Sequence, residues 1–248
     1  RYAVRLSDAC HDLFKAAFGK EPTPWKDYGF YLVGSKRACH QVVRAWPGID
    51  PDKRDALIKR DTSSKWLPGA RTYVKWSKTR LQRIDAVTRQ AMGVLLVNEF
   101  GLSPRQGWAW EGLGIHLAFL LTGSRQTTFV RLTGYAEKRT EKNAEIQARL
   151  AKQGADWLAP AAETLDSWTH GDLISSLSKD ANQLTIEDLL VGHALAAYLL
   201  EGFPPEVSRK TLRSYGGGKS LDEALVIGTG RDLEATAGRL RRWLAEIR

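Results

Sequence analysis

The sequence predicts an α+β fold in which a small mixed α/β lobe precedes a mainly helical lobe. Two runs of aromatic and β-branched residues in the first half are typical of strands, whereas the last third shows helical spacing almost throughout. Apolar residues make up 43% of the 248 residues and charged residues 26%, which is enough for a sizeable core. We expect residues 1–136 to form the mixed lobe and residues 137–248 the helical lobe, together making one domain.

Hydrophobic periodicity and chain breakers predict the elements of the mixed lobe. Helices are expected where apolar residues recur at helical spacing, and strands where aromatic and β-branched residues cluster. In chain order these are a helix Leu6–Phe18, a strand Lys26–Val33, a helix from Gly34 to Ala45, a strand Arg71–Trp76, helices Thr79–Phe100 and Trp108–Thr122, and a short strand Thr127–Leu132. Between the last two helices, Gly101 and Pro104 break the pattern.

The helical lobe is predicted from its start signals and from one apolar stripe at helical spacing, which consists of Leu233, Ala237, Leu240, Leu244 and Ile247. The charged segment Glu137–Gln153 marks the boundary between the lobes. Thr185 and Asp188 form a capping pair, and Pro205 suits the first turn of a helix. The glycine-rich segment Ser214–Ser220 lacks the glycine spacing of a phosphate-binding loop, so we interpret it as a turn between two helices.

One central segment carries the most specific pattern, Pro104-Arg105-Gln106-Gly107-Trp108-Ala109-Trp110-Glu111-Gly112-Leu113-Gly114. It resembles the Pro-x-Trp-x-x-Glu-Gly-Leu-Ala block of peptidase MA-like (gluzincin) domains, in which the glutamate is the third zinc ligand. Glu111 falls on that ligand. The best superposition of the preceding helix places Arg89-Gln90-Ala91-Met92-Gly93-Val94-Leu95-Leu96 on the family's His-Glu-x-x-His-x-Leu-Leu.

The end of the chain is also similar to the helical tail of gluzincin domains. Its three parts are an alanine-rich run Leu189–Leu200, a segment Ser220–Leu225 containing Asp-Glu-Ala-Leu, and a terminal Trp243-Leu244. The resemblance therefore covers most of the chain and implies a gluzincin-like α+β fold.

The same superposition implies that the zinc site has been lost. Two histidines four residues apart bind zinc from one helix face, and the intervening glutamate is the catalytic base. Here Arg89, Gln90 and Gly93 replace all three, and neither arginine nor glycine offers a lone pair for a metal. No two of the five histidines have the His-x-x-x-His spacing. We expect no metal, no cofactor and no catalytic residue, only vestigial metal-site positions at Arg89, Gln90, Gly93 and Glu111.

A buried Glu111 without its metal would need another cation. Burying an ionised carboxylate alone is costly, and the planar guanidinium of arginine is suited to pairing with it. We therefore predict that Arg89 pairs with Glu111 at roughly 4 Å or less.

The leading functional hypothesis is a catalytically inactive module for protein or peptide binding, or for architecture. Active relatives hold a substrate peptide along an edge strand, and the corresponding candidate here contains Arg71, Tyr73, Lys75 and Trp76. Peptide capture by strand addition would survive loss of the metal. The partner's identity stays open.

Charge supports a rival hypothesis, a basic nucleic-acid-binding domain. The chain has a formal net charge of +9, and residues 53–89 contain eleven Lys/Arg against three Asp. Trp66, Tyr73 and Trp76 lie among them and are candidates for base stacking. The spacing matches no nucleic-acid motif, so we expect weak binding of nucleic acid or of an acidic polymer. A third hypothesis is an active zinc peptidase with a metal site elsewhere.

Cysteines and hydropathy add little about the compartment. Cys10 and Cys39 each precede a histidine, and we interpret both as small buried apolar residues rather than as a disulfide or metal site. No apolar run approaches the roughly 20 residues that span a bilayer, which predicts a soluble domain. The sequence begins at Arg1 without methionine, so we expect a truncated N-terminus, and a cell-envelope location stays open.

Overall fold

The described residues form a small sheet and a larger set of helices. This confirms the broad α+β class that the sequence predicts. The computed structural model describes residues 2–23, 28–59, 64–67, 72–123, 149–150, 152, 154–181 and 183–247. Helices account for most of the described residues.

Up to Trp76, the described residues form three strands and three helices. They are α1 (Tyr2–Phe18), β1 (Gly29–Val33), α2 (Lys36–Ala45), α3 (Pro51–Lys59), β2 (Ser64–Leu67) and β3 (Thr72–Trp76). The strand order is β1-β3-β2, with β1 parallel and β2 antiparallel to β3. Ser35 starts α2, because its side chain accepts a hydrogen bond from the Ala38 N–H. The sequence patterns did not predict α3 or β2.

Two helices at the centre follow the sheet. Helix α4 (Arg80–Phe100) begins after Thr79, whose side chain accepts from the Gln82 N–H, and it ends at Gly101 in the left-handed conformation with φ of 73°. The next helix starts with one π-helical turn, Ala109–Leu113, and continues as α5 (Gly114–Thr122). Both predicted central helices are therefore present.

Six further helices complete the described chain. These are α6 (Leu158–Ser167), α7 (His170–Leu177), α8 (Ile186–Glu201), α9 (Pro205–Gly216), α10 (Leu221–Thr229) and α11 (Leu233–Glu246). Capping boxes begin α7, α8 and α10, including the predicted Thr185/Asp188 pair. The glycine-rich segment ends α9 and turns into α10, as predicted.

Two separate cores hold the elements together. The main core extends from Cys10 and Phe14 of α1 through α4, α5 and α8 to Leu244 of α11, so both predicted lobes contribute to it. A small core of Cys39, Val43, Ile49, Leu67 and Val74 lies between the sheet and helices α2 and α3. The two cysteines are free and belong to different cores, which confirms that they are buried apolar residues. Burial raises the pKa of the Cys10 thiol to about 12.

Several predictions fall outside the described residues. These are the strand Thr127–Leu132, the boundary at residues 136–137, Arg71, and most of the charged segment Glu137–Gln153. Among the described helices, none has both the length and the apolar character needed to cross a bilayer.

Candidate functional site

Arg89 and Glu111 meet between the two central helices. Arg89 lies near the middle of α4 and Glu111 in the π-helical turn that leads into α5, and Nη2 of Arg89 donates a hydrogen bond to Oε2 of Glu111. The side chain of Arg89 is 14% exposed and that of Glu111 is 4% exposed, so the ion pair is largely buried. The predicted contact between these two residues is confirmed. It places a fixed positive charge against a buried carboxylate.

Gly93 packs against Trp110, close to the Arg89–Glu111 pair. A Cβ atom added at Gly93 would lie 3.0 Å from Cη2 and 3.1 Å from Cζ2 of Trp110. Real Cβ atoms seldom approach a neighbour so closely, so the indole ring occupies the space that a larger residue at position 93 would need. The sequence analysis missed Trp110. A glycine in the interior of a buried helix is the signal that could have indicated a close approach here.

These residues do not fit a zinc ion. Arg89 and Gly93 provide no metal ligand, and the carboxylate of Glu111 is paired with the guanidinium. Gln90 is half-buried, and its amide cannot take a proton from a water molecule near neutral pH. Throughout the described ranges, no group of three His, Cys, Asp or Glu side chains is placed to hold a metal.

The pair belongs to a wider set of buried charges between the sheet and α4. Lys75 of β3 is 4% exposed and Asp85 of α4 is fully buried. Burial and the positive charge of Arg89 lower the pKa of Lys75 to about 8, although the negative charge of Asp85 opposes that shift. Lys75, Asp85 and Arg89 therefore interact electrostatically within the protein interior.

The predicted peptide-binding strand is wrong in one decisive respect. Thr72–Trp76 is the central strand of the sheet, with β1 paired along one edge and β2 along the other. Strand addition needs an unpaired edge, so a peptide cannot add to β3. Tyr73 and Lys75 are also buried, Trp76 is half-buried, and Arg71 lies outside the described residues.

Of the candidate stacking rings in the basic region, the two whose side chains the structure describes, Tyr73 and Trp76, do not form the surface that the nucleic-acid hypothesis needs. Lys53, Lys59, Lys78 and Arg80 are exposed, but Lys65 and Lys75 are buried. The ring of Tyr73 contacts Phe30 at a centroid separation of 6.4 Å, and Trp76 packs on the small core. Bases stack on exposed rings, so these two rings do not favour that function.

A buried pair of histidines is another feature that the sequence did not predict. His116 of α5 and His193 of α8 have ring centroids 5.3 Å apart, and Trp157 lies 5.4 Å from His193. His116 Nε2 is 3.0 Å from Glu201 Oε1. The two histidines come from separate helices, so no spacing in the sequence could have indicated their contact.

No family model, no curated protein and no solved structure matches this chain. The resemblance to gluzincin domains therefore stays a prediction carried by the residues quoted above.

Proposed function

We propose that this chain is a metallopeptidase-like domain without catalytic activity, which serves as a structural or protein-interaction module. The observation that carries the proposal is the Arg89–Glu111 ion pair. A family superposition made from sequence placed Arg89 on the first zinc histidine and Glu111 on the third zinc ligand. Residues at two unrelated positions would have no reason to converge.

The guanidinium takes over the electrostatic role that a metal has for a buried carboxylate. Glu111 would carry a large desolvation cost if it were ionised without a cation. Arg89 supplies a cation from α4 and links that helix to the turn containing Glu111. The pair therefore holds α4 against the turn containing Glu111, as a metal would, but it supplies no metal for catalysis.

Gly93 and Trp110 give independent support to the same superposition. Gly93 holds the place of the second zinc histidine, and the ring of Trp110 packs on it. A histidine at position 93 would collide with that ring. Replacement of a ligand by glycine and filling of the space by an indole are what we expect where a metal site has been lost and repacked.

Restoring the ligands tests the proposal directly. The variant combines Arg89→His, Gln90→Glu and Gly93→His with Trp110→Ala, which clears the space above position 93. We expect it to retain about one zinc ion per chain after dialysis, measured by elemental analysis, because two histidines and Glu111 make a three-ligand site. We expect the unaltered chain to retain no stoichiometric zinc and to cleave no peptide bond.

The matched control adds Glu111→Gln to the restored variant. It should lose the zinc, because an amide is a much poorer ligand than a carboxylate. A folded restored variant without zinc, or one that keeps zinc equally well without Glu111, would contradict the superposition. One zinc per unaltered chain, or proteolysis that a chelator inhibits, would contradict the inactive assignment.

A further inference from the structure

A groove between α9 and α10 lies apart from the metal-site positions. Its volume is about 550 Å³, within the range of ligand pockets. Helix α9 contributes most of the lining, and α10 closes one side; the lining residues are Glu206, Val207, Arg209, Lys210, Arg213, Ser214, Ile227 and Gly228.

The two helices are held close at the base of this groove. A Cβ atom at Gly228 would lie 1.8 Å from Oγ1 of Thr211, so only glycine allows this approach. Thr211 is buried and donates to the Val207 carbonyl at 3.0 Å. Arg209 fixes α9 against α1, because its Nη1 donates to the carbonyl oxygens of Phe18 at 2.9 Å and Gly19 at 3.4 Å. The walls are therefore preorganised.

The lining combines positive charge with an apolar floor. Lys210 and Arg213 are exposed, and neither forms an ion pair with any residue that the structure describes. Glu206 is the one carboxylate among the lining residues, against three cations. Ile227 is 37% exposed, and the neighbouring Val226 is 48% exposed. Exposed aliphatic side chains beside these cations make the groove complementary to a ligand that is both acidic and partly apolar.

The geometry points to this groove as a docking site for an acidic polypeptide segment that inserts an aliphatic side chain. Its carboxylates would pair with Lys210 and Arg213, and its aliphatic group would cover Val207 and Ile227. A nucleic acid fits less well, because no aromatic ring lines the groove for stacking. This site is separate from Arg89 and Glu111, so it does not depend on the loss of zinc.

Fluorescence anisotropy with defined peptides tests the docking site. The probe is a labelled peptide repeating Glu-Glu-Leu, and a peptide repeating Gln-Gln-Leu is the uncharged comparison. We expect the acidic peptide to bind more tightly, with an affinity that falls as salt is added. Lys210→Glu with Arg213→Glu should weaken binding by about ten-fold or more, and Ile227→Ser by several-fold.

The matched control is Arg239→Glu with Arg242→Glu, which makes the same change in net charge on exposed residues of α11. It should keep the affinity within about two-fold of the unaltered chain. Should the groove double variant fail to give a helical circular-dichroism spectrum, Lys210→Gln and Ile227→Ser replace it.

Three results would overturn the inference. The acidic peptide fails to bind, or the groove and control variants lose affinity equally, or an oligothymidine binds more tightly and depends on Lys210 and Arg213. None of them bears on zinc binding by the restored variant, so the two proposals fail separately.

Discussion

The indole of Trp110 lies against Gly93, so that a Cβ atom at position 93 would come within 3.0 Å of Trp110 Cη2. This contact joins α4 to the turn containing Glu111 at a second point beside the Arg89–Glu111 pair. The ring of Trp110 therefore limits how large a side chain position 93 can hold.

Enlarging Gly93 should destabilise the protein through Trp110. Gly93→His should lower the free energy of unfolding by about 2 kcal/mol or more, because an overpacked interior must shift its side chains. Gly93→Ala should cost less, since alanine regains about 1 kcal/mol of helix propensity. Urea denaturation provides the measurement. A double-mutant cycle with Trp110→Ala should show that the two positions are strongly coupled, and additive effects would refute the contact.

Arg89→Ala should be far more damaging than the loss of a surface arginine. The expected decrease in the free energy of unfolding is about 3–5 kcal/mol, because Glu111 is left buried without its cation. Arg242→Ala, on the exposed part of α11, should change it by less than about 0.5 kcal/mol. The double variant Arg89→Met with Glu111→Leu should be more stable than Arg89→Ala, since it removes both charges of this pair together. Equal losses for Arg89→Ala and Arg242→Ala would show that the pair is not buried in solution.

Glu99 should make stability depend on acidity. Burial opposes its ionisation, but hydrogen bonds from Lys20 Nζ at 2.7 Å and the Thr23 N–H at 2.6 Å prevail and lower its pKa to about 2. The pKa of Glu99 in the folded chain lies below the unfolded value of about 4.3. Glu99 therefore stabilises the fold fully above about pH 4.3, and this stabilisation is lost as the pH falls towards 2. Glu99→Gln should cost about 1–3 kcal/mol near pH 7 and much less near pH 2.

The control for this measurement is Glu163→Gln on the exposed side of α6. It should show no comparable pH dependence. A constant difference between Glu99→Gln and the unaltered chain across the acid range would mean that Glu99 is not held ionised.

Lys75 should also make stability rise with pH, but in the alkaline range. Its folded pKa of about 8 lies below the unfolded value of about 10.4, so the unfolded chain binds more protons between these values and stability rises with pH. We expect this rise in the unaltered chain and its absence in Lys75→Met. Lys78→Met, at an exposed position, is the control and should keep the rise. Urea denaturation near pH 7 and near pH 10 makes the comparison, and an unchanged rise in Lys75→Met would assign it to another group.

Nucleic-acid binding should stay weak and independent of base sequence. If it occurs, its affinity must fall linearly with salt on logarithmic axes, because neutralised phosphates release counterions. Lys78→Glu with Arg80→Glu removes two exposed cations and should abolish it. Tight retention of one defined oligonucleotide at physiological salt, measured by filter binding, would favour the nucleic-acid hypothesis over the interaction module.

Sequence predicted the Arg89–Glu111 contact because a motif placed both residues at one site before any packing was known. The long helices and their caps were predicted for a similar reason, since periodicity and capping are local properties of the chain. The short elements α3 and β2 were not predicted. Four strand residues carry too little alternation to be distinguished from a loop.

The errors concern relations between distant parts of the chain. Strand order depends on how β1 and β2 pair with β3, and nothing within Thr72–Trp76 itself encodes its central position. Lys75 resembles a surface lysine in the sequence because its burial depends on α4 packing over the sheet. His116 and His193 meet only after α5 and α8 have folded together.

The cation beside Glu111 belongs to a side chain of the same protein. A metalloprotein, in contrast, must bind its cation from solution. A bound metal equilibrates with chelators, with competing ions and with its free concentration. The guanidinium of Arg89 is covalently part of the chain and cannot dissociate from it. Assembly of α4 with the Glu111 turn is consequently a unimolecular event, whose yield is independent of metal supply.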